Sequence, residues 1–364
     1  MRTYVSAPAA PFDRGEAFGS DNSEQIAVTF AGYRELFDAL APQPIDLRAA
    51  GEEALAVIDR FSAEAGEEVR GLAAGAGLAA WQIAALNART EILGRLGTSA
   101  PAECSTVVVL PPDGGDPVTL QTWDWHDAFA DGWLAWTIEH PDGRIVHTVT
   151  EYGILGKIGV SSHGVGVHMN ILAHRSDGGP IGVPVHILAR SVLDRAEHAT
   201  GAVALLGAAR ASASTVLTVT GARDGGTTAV CAELSPEGPR FVLPTERGLL
   251  LHTNHFLDPN LAAGDRAPVW GPDSYLRLDV LRRRLHERLP VDRDQLRRMV
   301  ADHAGGSGSI CCHPDDGAPL GRRWATLATV SLDVRAGELW VRPGGPCEES
   351  VWHVCPPAVA ARTG

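Results

Sequence analysis

Hydrophobic positions along the chain change rhythm several times, and the changes divide it. Residues 1–46 are rich in Pro, Gly and Ala with little periodicity; only Tyr33-Arg34-Glu35-Leu36-Phe37 predicts the start of a helix. From residue 47 to 96 apolar side chains recur at i, i+3 and i+4, through Leu55-Ala56-Val57-Ile58 and again Trp81 to Asn87, the period of a helix with one buried face. Gly66, Gly71, Gly75 and Gly77 divide this region into two or three helices, and its Ala/Gly-rich face predicts close helix packing. After Gly97 the rhythm becomes that of strands, predicted over 106–110, 118–123, 134–139, 145–152, 157–161 and 165–171, with turns such as Pro141-Asp142-Gly143-Arg144 between them. Helices are predicted over 183–198 and 200–211, then strands over 214–220, 228–234, 240–243 and 249–253. An Arg-rich helical region (275–298) and strands over 324–333 and 338–342 close the pattern. No repeat is visible and no interior linker separates independent domains. Helices segregated from strands predict a layered α+β fold, with helices covering packed antiparallel sheets.

Composition narrows the function classes. The 364 residues are 45% hydrophobic and 21% charged, enough for a sizeable core. A net charge of -13 argues against nucleic acid and anionic membrane surfaces as partners. No apolar run is long enough to span a bilayer, and the N-terminal residues lack the apolar segment of a signal peptide. Six cysteines in this length are too few for a disulfide scaffold, so a cytoplasmic, reduced setting is expected. The high Ala, Arg and Gly usage suggests a GC-rich bacterial genome.

The chemistry centres on Glu103-Cys104-Ser105-Thr106-Val107-Val108-Val109-Leu110. A cysteine heads a β-branched run that reads as a fully buried strand. Two readings stand. Cys104 is a core cysteine in a core strand, or it is a latent N-terminal nucleophile. In the second, cleavage of the bond before it frees an α-amine, of pKa about 7.7–8, to act as base for its own thiol. Three further segments bear on the choice: Gln121-Thr122-Trp123-Asp124-Trp125, Gly164 to Asn170, and Leu251-His252-Thr253-Asn254-His255-Phe256. In a meander the strand after Cys104 ends near where that strand began, bringing Asp124 towards the thiol. Asn254 ends another strand and offers an amide donor of the kind an oxyanion requires. Each also has an ordinary reading as a turn or strand-end residue.

Together these segments resemble the isopenicillin N acyltransferase-like cysteine peptidases and amidases, which are N-terminal nucleophile hydrolases. The resemblance runs from about Leu72 to Gly345. It is carried by Ala85 to Glu91, Glu103-Cys104-Ser105-Thr106, Trp123-Asp124, Tyr152 to Gly159, Ser162 to Gly166, Thr253-Asn254-His255-Phe256 and Ser309-Ile310-Cys311. It implies a four-layer αββα fold of antiparallel sheets and autocatalytic cleavage between Glu103 and Cys104. Residues 1–103 would form a helical pro-segment or α chain, and 104–364 a catalytic β chain completing the same domain. It further implies Cys104 as nucleophile with its freed amine as base, Asp124 bound to that amine or to substrate, and Asn254 on the oxyanion. Asn170 matches a site asparagine of the related choloylglycine hydrolases. Trp123, His255 and Phe256 are expected to line the substrate. Two positions depart from the family pattern. Cys312 stands where an arginine often follows Ser-Ile-Cys, and Glu103 where glycine often precedes the nucleophile.

The expected activity is hydrolysis of a small N-acyl or aminoacyl amide through a Cys104 thioester. The alternative is transfer of an acyl group, from a CoA thioester or an amide, to an amine. A further alternative is an uncleaved, inactive scaffold or binding protein. A conventional Cys–His protease would need His126, His168 or His255 as base, in a chain order that fits no signature. The expected partners are a small-molecule substrate, the chain's own two halves, and a second copy in a possible homo-oligomer. No cofactor and no metal are expected. Eight histidines between His126 and His198 show no tight ligand spacing. Cys311-Cys312-His313 with Cys347 and Cys355 lacks a Cys-x-x-Cys pair. The arginines of 277–288, interleaved with Leu and Glu, read as a solvated helix face.

Overall fold

In the computed structural model, residues 1–97, 104–223 and 226–355 are described. The helical segment comes first: α1 (Pro11–Asp21), α2 (Ser23–Leu40), α3 (Leu47–Phe61), α4 (Ala63–Ala76), α5 (Ala80–Asn87) and α6 (Arg89–Leu96), after a short strand β1 (Thr3–Ser6). The sequence reading expects little before residue 33 and two or three helices after 47; α1, most of α2 and a fourth helix are additions. The glycines explain α1. Gly15 and Gly19 face Gly71 and Gly75 of α4. A Cβ at Gly15 would lie 2.3 Å from the Glu68 carbonyl oxygen, and one at Gly71 2.0 Å from that of Phe12. The two helices therefore touch backbone to backbone. This contact stabilises a helix whose glycines weaken it in isolation.

The strands then run β2 (Ser105–Val109), β3 (Val118–His126), β4 (Trp133–Glu139), β5 (Ile145–Glu151), β6 (Ile158–Ser161) and β7 (Val165–Ile171). Helices α7 (Val185–Arg195) and α8 (Ala199–Ala208) follow, then β8 (Thr215–Arg223), β9 (Gly226–Leu234), β10 (Arg240–Val242) and β11 (Leu249–His252). Helices α9 (Pro259–Ala262), α10 (Ala267–Trp270), α11 (Asp273–Glu287) and α12 (Arg293–Val300) precede the closing strands β12 (Trp324–Asp333), β13 (Glu338–Pro343) and β14 (His353–Cys355).

The ladder is not one meander. It splits into an eight-stranded sheet, β1-β4-β5-β6-β7-β8-β9-β10, and a six-stranded sheet, β11-β2-β3-β12-β13-β14. Among the described residues only the β1–β4 pairing is parallel. The sheets pack face to face, β2 against β7 and β12 against β6. Helices α7 and α8 cover the outer face of the larger sheet. Leu278, Leu281 and Leu285 of α11 and Leu296 of α12 cover the other, against Val107, Val109 and Leu120. The layer order is αββα, as the resemblance implies. No helix among the described residues is long and apolar enough to cross a membrane.

β2 is buried on both faces, as its unbroken apolar run predicts. Its odd positions meet α11 and α12, while Val108 meets Val216 of the larger sheet. Polar side chains also cross between the sheets. Thr106 Oγ1 donates to Asn170 Oδ1 at 2.7 Å, and Gln121 Nε2 donates to the Met169 carbonyl at 2.6 Å.

His168 lies buried with no hydrogen-bond partner among the described residues on either ring nitrogen, and burial holds its pKa down to about 3. An unfolded histidine titrates at about 6.5. Between those values the unfolded chain binds a proton that the native state refuses, so stability falls as pH drops below about 6.5. A His168→Leu variant should therefore lose less stability between pH 6.5 and 4.5 than the wild type, by up to about 1.4 kcal/mol per pH unit. Urea unfolding of both proteins across that range measures the difference, in which other titrating groups cancel; parallel curves would sink the prediction.

Candidate active site

The register of β2 on β3 pairs Ser105 with Thr122 and Thr106 with Gln121. Antiparallel pairing therefore carries Cys104, just before β2, alongside Asp124 near the end of β3. The Cys104 thiol donates to the Asp124 carbonyl oxygen at 3.7 Å and is 2% exposed. The Asp124 carboxylate is set by the next strand. A bulge in β12 between Thr326 and Ala328 lies opposite Asp124, and Thr326 Oγ1 donates to Asp124 Oδ1 at 2.6 Å. Bulges re-aim side chains in this way at the edges of sites.

The carbonyl oxygen of Cys104 accepts two side-chain donors from other elements: Arg277 Nη1 at 2.9 Å and Asn170 Nδ2 at 3.1 Å. Arg277 reaches from α11. Its Nη1 also donates to Ser105 Oγ at 3.0 Å, its Nη2 to Asn254 Oδ1 at 3.0 Å, and its Nε to Asp273 at 3.1 Å. Asn254 is held on its other side as well. Its backbone N–H donates to Ser274 Oγ at 2.8 Å and its Nδ2 to the Ile171 carbonyl at 2.9 Å. Cys104, Asp124, Asn170 and Asn254, four residues proposed from sequence, thus converge from β2, β3, β7 and the turn after β11.

The helical-face reading of the Arg-rich run fails at Arg277, which is 2% exposed. The helix turns one side to the site and the rest to solvent. The guanidinium at the site comes from α11, while Cys312 occupies the position after Ser-Ile-Cys. Its own thiol donates to the Ser307 carbonyl at 3.1 Å.

Lys157 was not anticipated. It is the single lysine of a chain whose lysines and arginines total 31, and that rarity is the signal that marks it. It lies just before β6, fully buried. Its Nζ donates to the Glu151 carboxylate and sits 3.9 Å from the ring centre of Trp123. Glu151 also accepts from Tyr33 and from Arg89, whose guanidinium stacks 3.9 Å from the Trp125 ring centre. Burial pulls the Lys157 pKa down to about 7, against the opposing pull of Glu151. Burial first, and then the Asp124 charge, pushes the Cys104 thiol up to about 12, while Lys157 and Arg277 work to lower it. In the intact chain the thiol is thus protonated at neutral pH.

Of the residues expected to line the substrate, Trp123 forms the floor under Lys157. His255 stacks on Tyr275 with ring centres 4.0 Å apart, and its Nδ1 bonds Ser274 Oγ at 2.8 Å. Phe256 belongs to a separate core cluster with Val108, Leu172 and Leu250 and does not join the group around the thiol. Glu103 and the bond before Cys104 lie outside the described residues. The Asn87 to Glu91 segment acts as a brace. Asn87 bonds the backbone of Gly153 and Leu155 at 2.9 and 3.0 Å. Glu91 accepts the Val185 N–H, at 2.9 Å, in the first turn of α7.

Residues 111–348 match the family described as acyl-coenzyme A:6-aminopenicillanic acid acyl-transferase. The segment takes in Asp124, Lys157, Asn170, Asn254 and Arg277, with Cys104 just ahead of it. The chain is 28% identical over 281 residues to the 40 kDa form of acyl-coenzyme A:6-aminopenicillanic-acid-acyltransferase from Emericella nidulans, covering 77% of this chain and 75% of that one. A solved penicillin V acylase from Agrobacterium tumefaciens superposes with a TM-score of 0.43 at 11% identity, covering 70% of this chain and 86% of that one.

Removing the Arg277 guanidinium takes its donors from Ser105 Oγ and Asn254 Oδ1 in a buried setting and leaves Cys104 O with Asn170 Nδ2 alone. An Arg277→Met substitution should cost about 3 kcal/mol of stability, read from the urea midpoint. A loss below about 1 kcal/mol would show that these bonds do not hold the site together.

Proposed function

The chain belongs to the acyl-coenzyme A:6-aminopenicillanic acid acyl-transferase family, enzymes of amide-bond chemistry, and on that premise we propose that it is a self-processing enzyme with Cys104 as its nucleophile. The observation that carries the reading is the convergence on Cys104 of groups from five elements. Asp124 and Asn170 come from β3 and β7, Asn254 from the turn after β11, Arg277 from α11, and Lys157 from the loop before β6 sends its charge to the thiol. A core cysteine needs none of these.

Processing would proceed by attack of the Cys104 sulfur on the carbonyl carbon of Glu103. The C–N bond breaks, the nitrogen takes up the thiol proton, and a thioester joins the two halves. Water then cleaves the thioester, leaving a carboxylate on residue 103 and a free α-amine on Cys104. Residues 1–103 remain as an α chain and 104–364 as a β chain. The core that α1–α6 share with the larger sheet would hold the two together.

In the mature enzyme that amine accepts the proton of its own thiol as the sulfur attacks a substrate amide. Asp124 is assigned to hold the amine. Asn254 is assigned to the oxyanion through the N–H that does not serve Ile171, with its amide kept in orientation by Arg277. The α-ammonium then protonates the leaving amine, and a Cys104 thioester remains. Water completes hydrolysis; an amine completes transfer. Transfer is favoured as a second reading by one finding, that both the matched family and the Emericella nidulans relative bear acyltransferase names. In that case an acyl-CoA thioester is the expected donor.

Denatured intact mass spectrometry of freshly purified protein should give two species, with termini at residues 103 and 104. Cys104→Ala should give one. A single uncleaved mass for both proteins would remove the base this mechanism needs and leave a scaffold. For the processed protein, turnover of a simple acyl-CoA should rise when a small primary amine is added if transfer is the native step. An unchanged rate identifies water as the acceptor.

A further inference from the structure

The sequence reading expects no metal. The fold instead brings Cys347 to three ligands, His303, Cys311 and His313, that lie close together in the chain. His303, Cys311, His313 and Cys347 each present one ligating atom, all within 4.8 Å of one another. Their spacings have a pattern. The two sulfurs are 3.4 Å apart, the two Nε2 atoms 3.2 Å, and His313 Nε2 lies 3.6 Å from the Cys311 sulfur and 3.3 Å from that of Cys347. A tetrahedron with Zn–S of about 2.3 Å and Zn–N of about 2.0–2.1 Å has edges of about 3.8 Å between sulfurs, about 3.3 Å between nitrogens and about 3.6 Å for mixed pairs. These four edges follow the tetrahedral values within a few tenths of an ångström, and the two from His303 to the sulfurs lie within 4.8 Å. A Cys311–Cys347 disulfide is a poorer account. It leaves two imidazoles aimed at the same point without purpose, and both cysteines are free thiols.

We propose that His303, Cys311, His313 and Cys347 bind a zinc ion in a closed, structural Cys₂His₂ site. Two thiolates and two imidazoles in this geometry select zinc among divalent metals. Four protein ligands leave no open position, so the ion does not take part in the acyl chemistry. Binding displaces two thiol protons to solvent, which makes affinity fall with pH.

The surroundings fit such a clip. Gly345 leaves room for the cluster, since a Cβ there would lie 2.7 Å from the Cys311 sulfur. The metal would join the segment after α12 to the turn after β13, two stretches with little regular structure of their own. It would also steady the active site at a distance. The Cys312 N–H donates to Thr326 Oγ1 at 3.0 Å, and that hydroxyl donates to Asp124 Oδ1 at 2.6 Å. Cys312 and Cys355, which the sequence places beside the other cysteines, are not ligands: the first turns to Ser307 and the second lies in β14.

The test is metal analysis of the full chain purified without chelator, by inductively coupled plasma mass spectrometry. The expected result is one zinc per chain, retained in Cys355→Ala and lost in Cys347→Ser and His313→Ala. The exposed ligand His303 provides His303→Ala for use if those variants fold poorly. Cobalt(II) added to chelator-stripped wild type should give thiolate-to-cobalt charge-transfer absorption, absent from Cys347→Ser. Chelation should lower the melting temperature of the wild type and leave that of Cys347→Ser unmoved. The proposal is overturned if stripped wild type binds neither zinc nor cobalt, or if zinc persists in both ligand variants. A native mass 2 Da light from a Cys311–Cys347 disulfide would overturn it equally.

Discussion

A carboxylate taken out of water must be surrounded by donors or lose its charge, and the Glu151 carboxylate is the buried ion on which the middle of this molecule depends. Tyr33 from α2, Arg89 from α6 and Lys157 from the loop before β6 all converge on it. The two cations hold its pKa well below the ordinary carboxylate range despite burial. The cations in turn lie over Trp123 and Trp125 of β3. One charged group thus ties the helical segment before residue 98 to the sheet that begins after residue 103. Pairs of this kind gain little net stability over an apolar core of the same shape, but they tolerate no alternative arrangement of their partners. Specificity of placement is what a site next to Cys104 requires.

The same requirement runs through the space between the sheets. Asn170 and Gln121 span it, and Arg277 enters it from α11. Each satisfies backbone carbonyls or amides that would otherwise be buried unpaired. These bonds constrain the strand headed by Cys104 from several sides. Its register is set by pairing with β3 and β11, its carbonyl by two side chains, and its thiol by the end of β3. Catalysis by preorganised donors needs such stiffness. On this view the polar inter-sheet layer and the proposed zinc clip serve one purpose. The first fixes the strand headed by Cys104 and the second fixes the Thr326 segment that orients Asp124.

The layered α+β class, the buried character of β2 and the pairing that brings Asp124 to Cys104 were legible in the sequence, because each rests on local periodicity and short-range connection, while the αββα order came from the family resemblance. A β-branched run bounded by turns is a core strand wherever it sits, and a strand following it across a short turn returns to its start. The glycines of α4 likewise announced close packing. Their partner α1 stayed hidden, because its own glycines count against a helix until the facing backbone is known. Two residues quoted for the family resemblance, Asn87 and Glu91, also proved to be braces beside the site.

Tertiary structure alone decided the rest. Which strands join which sheet, that one side of an arginine-rich helix turns inward at Arg277, and that Lys157 lies against Trp123 depend on contacts spanning dozens to more than a hundred residues. No local period encodes them. The His303, Cys311, His313 and Cys347 cluster makes the point most plainly. Without a Cys-x-x-Cys pair, its ligands carry no motif; only the fold, by setting the turn after β13 beside the segment after α12, brings four unremarkable side chains to one point.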